Sequence, residues 1–199
     1  MELLLKKVVK THIQPMLKDM GFKKKGNYFY KKEDDFMYAI YYPIDREYTE
    51  NGAYFTVQFC IYSEALELML GRAIKAFPKG YDFILNQNIL VHCEGENWRY
   101  LLENTTNLDV FGKKMQDDVL QTLVLLKHIT TVETFIDYCL AHNYLVHHED
   151  LLRYLAMKKE DEKTVFYLSK IKEKLQQISD NAYRAYVKKL DTFKAEYGE

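Results

Sequence analysis

Read for periodicity alone, the chain changes from helical to alternating spacing and back again. Between Glu2 and Met20 the apolar positions Leu4, Leu5, Val8, Val9, Ile13, Leu17 and Met20 recur at three- and four-residue steps, with lysines between them, which predicts an amphipathic helix. Pro15 has no amide hydrogen to give, so a kink or break is expected there, and Gly21 supplies a stop. Residues Tyr28 to Lys32, Phe36 to Tyr42 and Ala53 to Tyr62 are dense in aromatic and β-branched side chains. Polar turns separate them, predicting three antiparallel strands. In the third, Ala53, Phe55, Val57, Phe59 and Ile61 fall on one face, which must be core, and Tyr54, Thr56, Gln58, Cys60 and Tyr62 on the other. Ser63 is placed to cap a helix over Glu64 to Phe77, ended by Pro78 and Gly80. Ile89 to Cys93 and Trp98 to Leu102 then read as a hairpin around Glu94-Gly95-Glu96-Asn97.

After Asn107 the pattern is helical throughout. Leu108, Phe111, Met115, Val119, Leu123 and Leu126 make one stripe, Thr130-x-x-Glu133 is a capping-box signature, and Asp150 is placed to cap a helix holding Leu151, Leu152 and Leu155. From Lys163 to Tyr197 the absence of Gly and Pro and the spacing of Leu168, Ile171, Leu175, Ile178, Ala182 and Tyr186 predict one long amphipathic helix, or two broken near Ser179-Asp180-Asn181. The expected fold is therefore α+β: an N-terminal helix packed on an antiparallel sheet of about five strands, followed by a helical C-terminal half. The charged link Lys158 to Lys163 divides the chain into residues 1–157 and a helical extension, 158–199, packed on the first domain or pairing two copies into a homodimer.

Composition narrows the class. Of 199 residues, 48% are hydrophobic and 29% charged, with only 8 Gly and 3 Pro, which excludes disordered and collagen-like chains. The formal charge of −1 removes the excess that a dedicated nucleic-acid protein shows. The charge is unevenly spread, however: residues 1–32 hold nine lysines against Glu2 and Asp19, a net of +7 balanced by −8 in the remainder. Cys60, Cys93 and Cys139 are odd in number and far apart, so no disulfide framework or zinc ribbon is expected. The opening Leu3 to Leu5 run is too short for a secretion signal and no stretch approaches a bilayer span, so the expected compartment is cytoplasmic, with no membrane partner.

Candidate chemistry is sparse. His142, His147, His148, Glu149 and Asp150 cluster near a loop, but match no ligand frame, so helix-end capping is expected and no metal or cofactor is assigned. Ser63, Ser169 and Ser179 sit in no nucleophile elbow, and neighbouring residues His92 and Cys93 would point to opposite faces of a strand. The acidic pairs Asp34-Asp35 and Asp117-Asp118 read as a solvated turn and a solvated helix face. The one stretch with binding character is Lys23, Lys24, Lys25, Tyr28, Tyr30 and Lys31, where charge and stackable rings alternate.

That same stretch, Gly21-Phe22-Lys23-Lys24-Lys25-Gly26-Asn27-Tyr28-Phe29-Tyr30, resembles a bacterial family, domain of unknown function 4304, in which an N-terminal helix leads through a Gly-Phe-Lys-rich turn into aromatic strands. The likeness runs over roughly residues 3–143, and departs from the family where Ser63 to Gln87 reads as helical and in the region after Glu149. It implies an α+β domain and brings no catalytic residues. The leading functional expectation is a non-catalytic module that binds another protein, with an immunity-type toxin neutraliser as one concrete form. Nucleic-acid binding through the basic first 32 residues is the alternative, and an unrecognised enzyme the third.

Overall fold

The computed structural model describes residues 2–48, 51–93, 99–142, 144, 147–178, 184 and 188. Residues 1–63 with 77–130 form one compact unit, and residues 64–76 with 131–199 form another.

The first unit opens with α1 (Glu2–Val8), a π-helical turn (Val9–Ile13) and α2 (Gln14–Asp19). The π turn is how the chain absorbs Pro15. Gln14 N–H reaches back to Val9 O, which places the proline in the first turn of α2, where a missing amide costs least. Gly21, at φ +88°, ends the helix, with Phe22 N–H donating to Leu17 O at 2.8 Å.

Among the described residues eight strands follow: β1 (Lys23–Lys25), β2 (Tyr28–Glu33), β3 (Phe36–Tyr41), β4 (Ile44–Tyr48), β5 (Gly52–Phe55), β6 (Gln58–Ser63), β7 (Leu85–Asn88) and β8 (Tyr100–Glu103). They make a five-stranded antiparallel sheet in the order β1-β2-β3-β6-β7 and a three-stranded one in the order β4-β5-β8. The two sheets share one ribbon. Tyr41 pairs with Gln58 and Ile44 with Phe55 at a constant register, and Thr56 N–H to Pro43 O (3.4 Å) bridges the interruption that Pro43 makes in the ladder.

The expected hairpin at 89–102 does not form. Ile89–His92 is a 3-10 turn whose start is fixed by the Asn88 side chain accepting from Leu90 N–H. The strand before it, β7, pairs with β6, whereas β8 pairs with β5. Trp98 and the link from Glu94 to Asn97 lie outside the described residues.

One face of the larger sheet is covered by helix. The long α4 (Leu108–Leu126), capped by Asn107, buries Met115, Val119 and Leu126. Its first turns carry Phe111 against Phe55 and Tyr100 of the smaller sheet, at ring separations of 6.0 and 5.9 Å. Phe55, Val57, Phe59 and Ile61 are all buried, as the alternation predicts.

In the second unit, α3 (Glu64–Met69) stops eight residues short of the expected Phe77. Gly71, at φ +68°, turns the chain, and Gly71 and Arg72 N–H groups close on Leu68 O and Glu67 O. The freed Arg72 guanidinium then grips Asp150 with two bonds, at 2.9 and 2.5 Å. In α5 (Val132–Ala141) the capping box is Thr131 with Thr134, one residue later than expected, which leaves Glu133 to accept from the Tyr154 hydroxyl. Asp150 is not a cap either: α6 (His148–Lys158) starts from His147 and ends at Lys159, both left-handed. The charged link after Lys158 lies inside this unit and leads into α7 (Asp161–Ile178), which buries Tyr167 and Ile171. The helical continuation expected from Ser179 to Tyr197 falls outside the described residues, apart from positions 184 and 188.

Candidate functional site

Cross-strand register decides which side chains share a surface, because directly opposed residues point to the same face. Lys25 faces Tyr28, Tyr28 faces Tyr41, Tyr41 faces Gln58, and Gln58 faces Asn88. These five residues form a transverse row across all five strands, roughly 19 Å long at about 4.8 Å per strand. Lys25 is exposed and the other four are half-buried.

The row borders a buried cluster on the same face. Tyr30, Met37, Ala39, Cys60, Tyr62 and Phe83 pack together, and Tyr28 leans on them. Tyr28 stacks on Tyr41 with ring centroids 4.2 Å apart and planes 7° apart, and on Tyr30 at 5.4 Å. Phe77 closes the border: its ring meets Tyr30 edge-on, and the Lys25 ammonium sits 3.1 Å from its centroid. The Tyr30 hydroxyl donates to Pro78 O at 3.0 Å. Gln58 is oriented by donating from Nε2 to Thr56 Oγ1 at 3.0 Å.

Burial, followed by the neighbouring Tyr41 phenol and Cys60 thiol, holds the Tyr28 phenol above its ordinary value. Burial first and Tyr28 second push Tyr30 up to about 12. Both phenols are therefore neutral over the physiological range, suited to stacking and hydrogen bonding and unsuited to proton abstraction. The Cys60 thiol beneath them is raised by burial alone.

The six residues singled out by sequence divide between the two faces. Lys23, Lys25, Tyr28 and Tyr30 share the face opposite α4, where the two lysines are exposed, Tyr28 is half-buried and Tyr30 is buried. Lys24 and Lys31 point to the helix-covered side, where Lys24 donates to Gln14 (3.2 Å) and Lys31 pairs with Glu33 (2.5 Å). The lysine run also has a plain structural role, since β1 is an edge strand and three exposed ammonium groups discourage further strand pairing. Tyr41, Gln58 and Asn88 escape a reading of sequence alone. They come from separate strands and meet only through register.

Elsewhere several of the candidate groups are engaged in structure. His142 ends α5 with its ring against Tyr138, Asp150 is held by Arg72, and no group of three or more His, Cys, Asp or Glu that can hold a metal ion occurs among the described residues. Asp117 is exposed, but Asp118 is 8% exposed and accepts from Tyr100 Oη and Lys114 Nζ, both at 2.7 Å, so the expected solvated pair is half wrong. No described helix is long and apolar enough to cross a membrane.

The Gly-Phe-Lys-rich segment has a defined geometry: Gly21 stops the helix, Phe22 is buried, and Gly26, at φ +61°, opens the two-residue turn from β1 to β2. A family model described as a domain of unknown function, DUF4304, matches residues 13–124, more than half of the chain. The chain belongs to this family. The DUF4304 match takes in all eight strands and most of α4, and stops before α5, α6 and α7. The transverse row thus lies wholly within the DUF4304 portion. No curated protein and no solved structure matches the chain.

Proposed function

We propose that this DUF4304 protein is a non-catalytic binding module that engages another protein through a partly exposed row on the face of its five-stranded sheet opposite α4. The observation that carries the reading is the row Lys25, Tyr28, Tyr41, Gln58 and Asn88: stacked, half-exposed tyrosines flanked by amides and a cation. Tyrosine presents a large rigid contact area with a polar tip at low entropic cost, and a protein interface concentrates its energy in such anchors. Neutral phenols and a buried thiol favour binding over acid–base or nucleophilic work at this face. An immunity-type role, in which the face covers a toxin, is the narrower form of the reading.

The nucleic-acid alternative is weakened by the division of the lysines. Of the five strand lysines, Lys23, Lys25 and Lys32 share the tyrosines' face and Lys24 and Lys31 turn away, so the run as a whole cannot track one backbone of phosphates.

Co-purification from the source cell tests the reading. The full chain should capture a protein whose recovery falls at least tenfold with Tyr41→Ala or Lys25→Glu and is unchanged with Lys113→Glu on the opposite, α4 side. Equal recovery by all variants sinks the reading. Nuclease-sensitive capture of RNA or DNA promotes the alternative.

A further inference from the structure

The helix-covered face of the larger sheet is not fully closed. Between the end of α2 and the last turn of α4 lies a cleft of about 200 Å³. Phe22, Phe59 and Leu126 supply its apolar floor, and Met20, Tyr38 and Leu123 complete the lining. Lys31, Glu33 and Lys127 are the charged residues around it. The volume exceeds the roughly 150 Å³ of an apolar cavity that holds benzene, and falls below the roughly 300 Å³ at which pockets for larger ligands begin. A single ring or a short alkyl chain fits; a nucleotide-sized cofactor does not.

The polar groups select the head of such a molecule. Lys31 Nζ already bridges Glu33 Oε1 at 2.5 Å, so that pair contributes no net charge. Two acceptors at the end of α4 are also taken: Ile129 N–H donates to Leu126 O (3.0 Å), and the Tyr38 hydroxyl donates to Ile129 O (2.7 Å). Burial, ahead of the charges of Glu33 and Asp34, pushes Tyr38 up to about 12, so its proton stays in place. The remaining charge is the ammonium of Lys127, the residue that caps α4 and the surplus cation among the three charged groups of the lining.

We propose that this cleft binds a small apolar monocarboxylate, an arylacetate or a short-chain fatty acid. Its hydrocarbon lies on Phe22, Phe59 and Leu126, and its carboxylate pairs with Lys127. The site is separate from the tyrosine row, on the other face of the sheet, and stands or falls independently of it.

Methyl and aromatic NMR of the full chain tests this, with phenylacetate and pentanoate as probes and phenethylamine as a shape-matched cation. Saturable shifts of Leu123 and Leu126 methyls are expected with both acids and not with the amine. Lys127→Glu should weaken binding at least tenfold. Glu33→Gln, which frees Lys31 for the carboxylate, should tighten it severalfold, and Leu123→Trp should fill the cleft and abolish it. Both charge variants alter groups at the cleft's edge, and unchanged melting temperatures would show that they remain folded. The proposal is overturned by an absence of saturable shifts with either acid, by equal binding of the amine, by indifference to Lys127→Glu, or by shifts confined to Tyr28 and Tyr41. The last outcome would move the ligand to the other face. Failure of the acids to bind, as when the cleft instead seats a partner's side chain, likewise rejects it.

Discussion

Asp118 brings a carboxylate to a position 8% exposed and leaves it two donors, Tyr100 Oη and Lys114 Nζ. Burial first, then the bond to Asp118, raises the Tyr100 phenol, so the proton remains on the tyrosine. Removing the carboxylate would affect the two donors unequally. Lys114, 60% exposed along its side chain, turns back into water at little cost, whereas the Tyr100 hydroxyl is stranded. Asp118→Ala should therefore cost about 1–3 kcal/mol, mostly through Tyr100. Adding Tyr100→Phe should cost less than the sum of the two single changes, as urea denaturation of the double-mutant cycle will measure. Strict additivity would show that the pair is not coupled. None of this was legible in sequence, where Asp118 sits beside exposed Asp117 on an ordinary polar helix face. Its partner, Tyr100, is 18 residues away and comes into reach only once β8 is paired and α4 is packed.

At the scale of elements, legibility followed the amount of apolar area that a pattern forces inward. The stripe Met115, Val119, Leu126 located α4 and its buried face, and the alternation through Phe55, Val57, Phe59 and Ile61 located a buried face. The single strand that this alternation predicts is two, however, β5 and β6 in different sheets, and Cys60 and Tyr62 on the other face of β6 are buried as well. β7, Leu85-Asn86-Gln87-Asn88, has no such pattern: it is held by backbone pairing to β6 and by the Asn88 cap. The apolar Ile89 to Val91 beside it drew the expected strand into what is a 3-10 turn. Pro43 reads as a strand terminator, yet one ribbon passes through it with its register kept. The helical spacing overruns α3 because Gly71, the residue that ends it, lies within an otherwise helical pattern. Close packing between α4 and the first helix was equally hidden. A Cβ on Gly112 would fall well inside the van der Waals distance of three His12 ring atoms, and Gln116 Nε2 donates to His12 O nearby at 2.7 Å. Alanine at an exposed helical site gains about 1 kcal/mol over glycine. Here overpacking of typically about 1–3 kcal/mol should win. Gly112→Ala is expected to lower the melting temperature, and His12→Ala in the same chain to recover part of the loss. A stabilising Gly112→Ala would mean that the two helices yield to each other.

For the molecule as a whole, the concentration of tyrosines in the sheets has a measurable consequence. Burial is the first cause of the raised phenols of Tyr28, Tyr30, Tyr38, Tyr42 and Tyr100, with Tyr30 and Tyr38 reaching about 12 from an ordinary 10. A phenol whose folded value lies above its unfolded value favours the native state fully below the unfolded value. That contribution is lost as pH rises through the folded one. Stability by chemical denaturation should therefore hold up to about pH 10 and fall steadily toward pH 12. A flat profile across that interval would mean that the phenols are accessible. The sequence showed that tyrosines gather here and that lysines flank them. It did not show that Tyr28, Tyr41, Gln58 and Asn88 form one row, because that depends on a strand order in which β6 lies beside β3 and β7 beside β6. The central claim is that this row is the working surface, and site-specific photo-crosslinking inside the source cell tests it most directly. With a benzoylphenylalanine replacing Gln58 in the middle of the row, a discrete adduct with another protein is expected, and with the same group at Lys113 on α4, none. An adduct only from position 113, or no adduct from position 58, would contradict it.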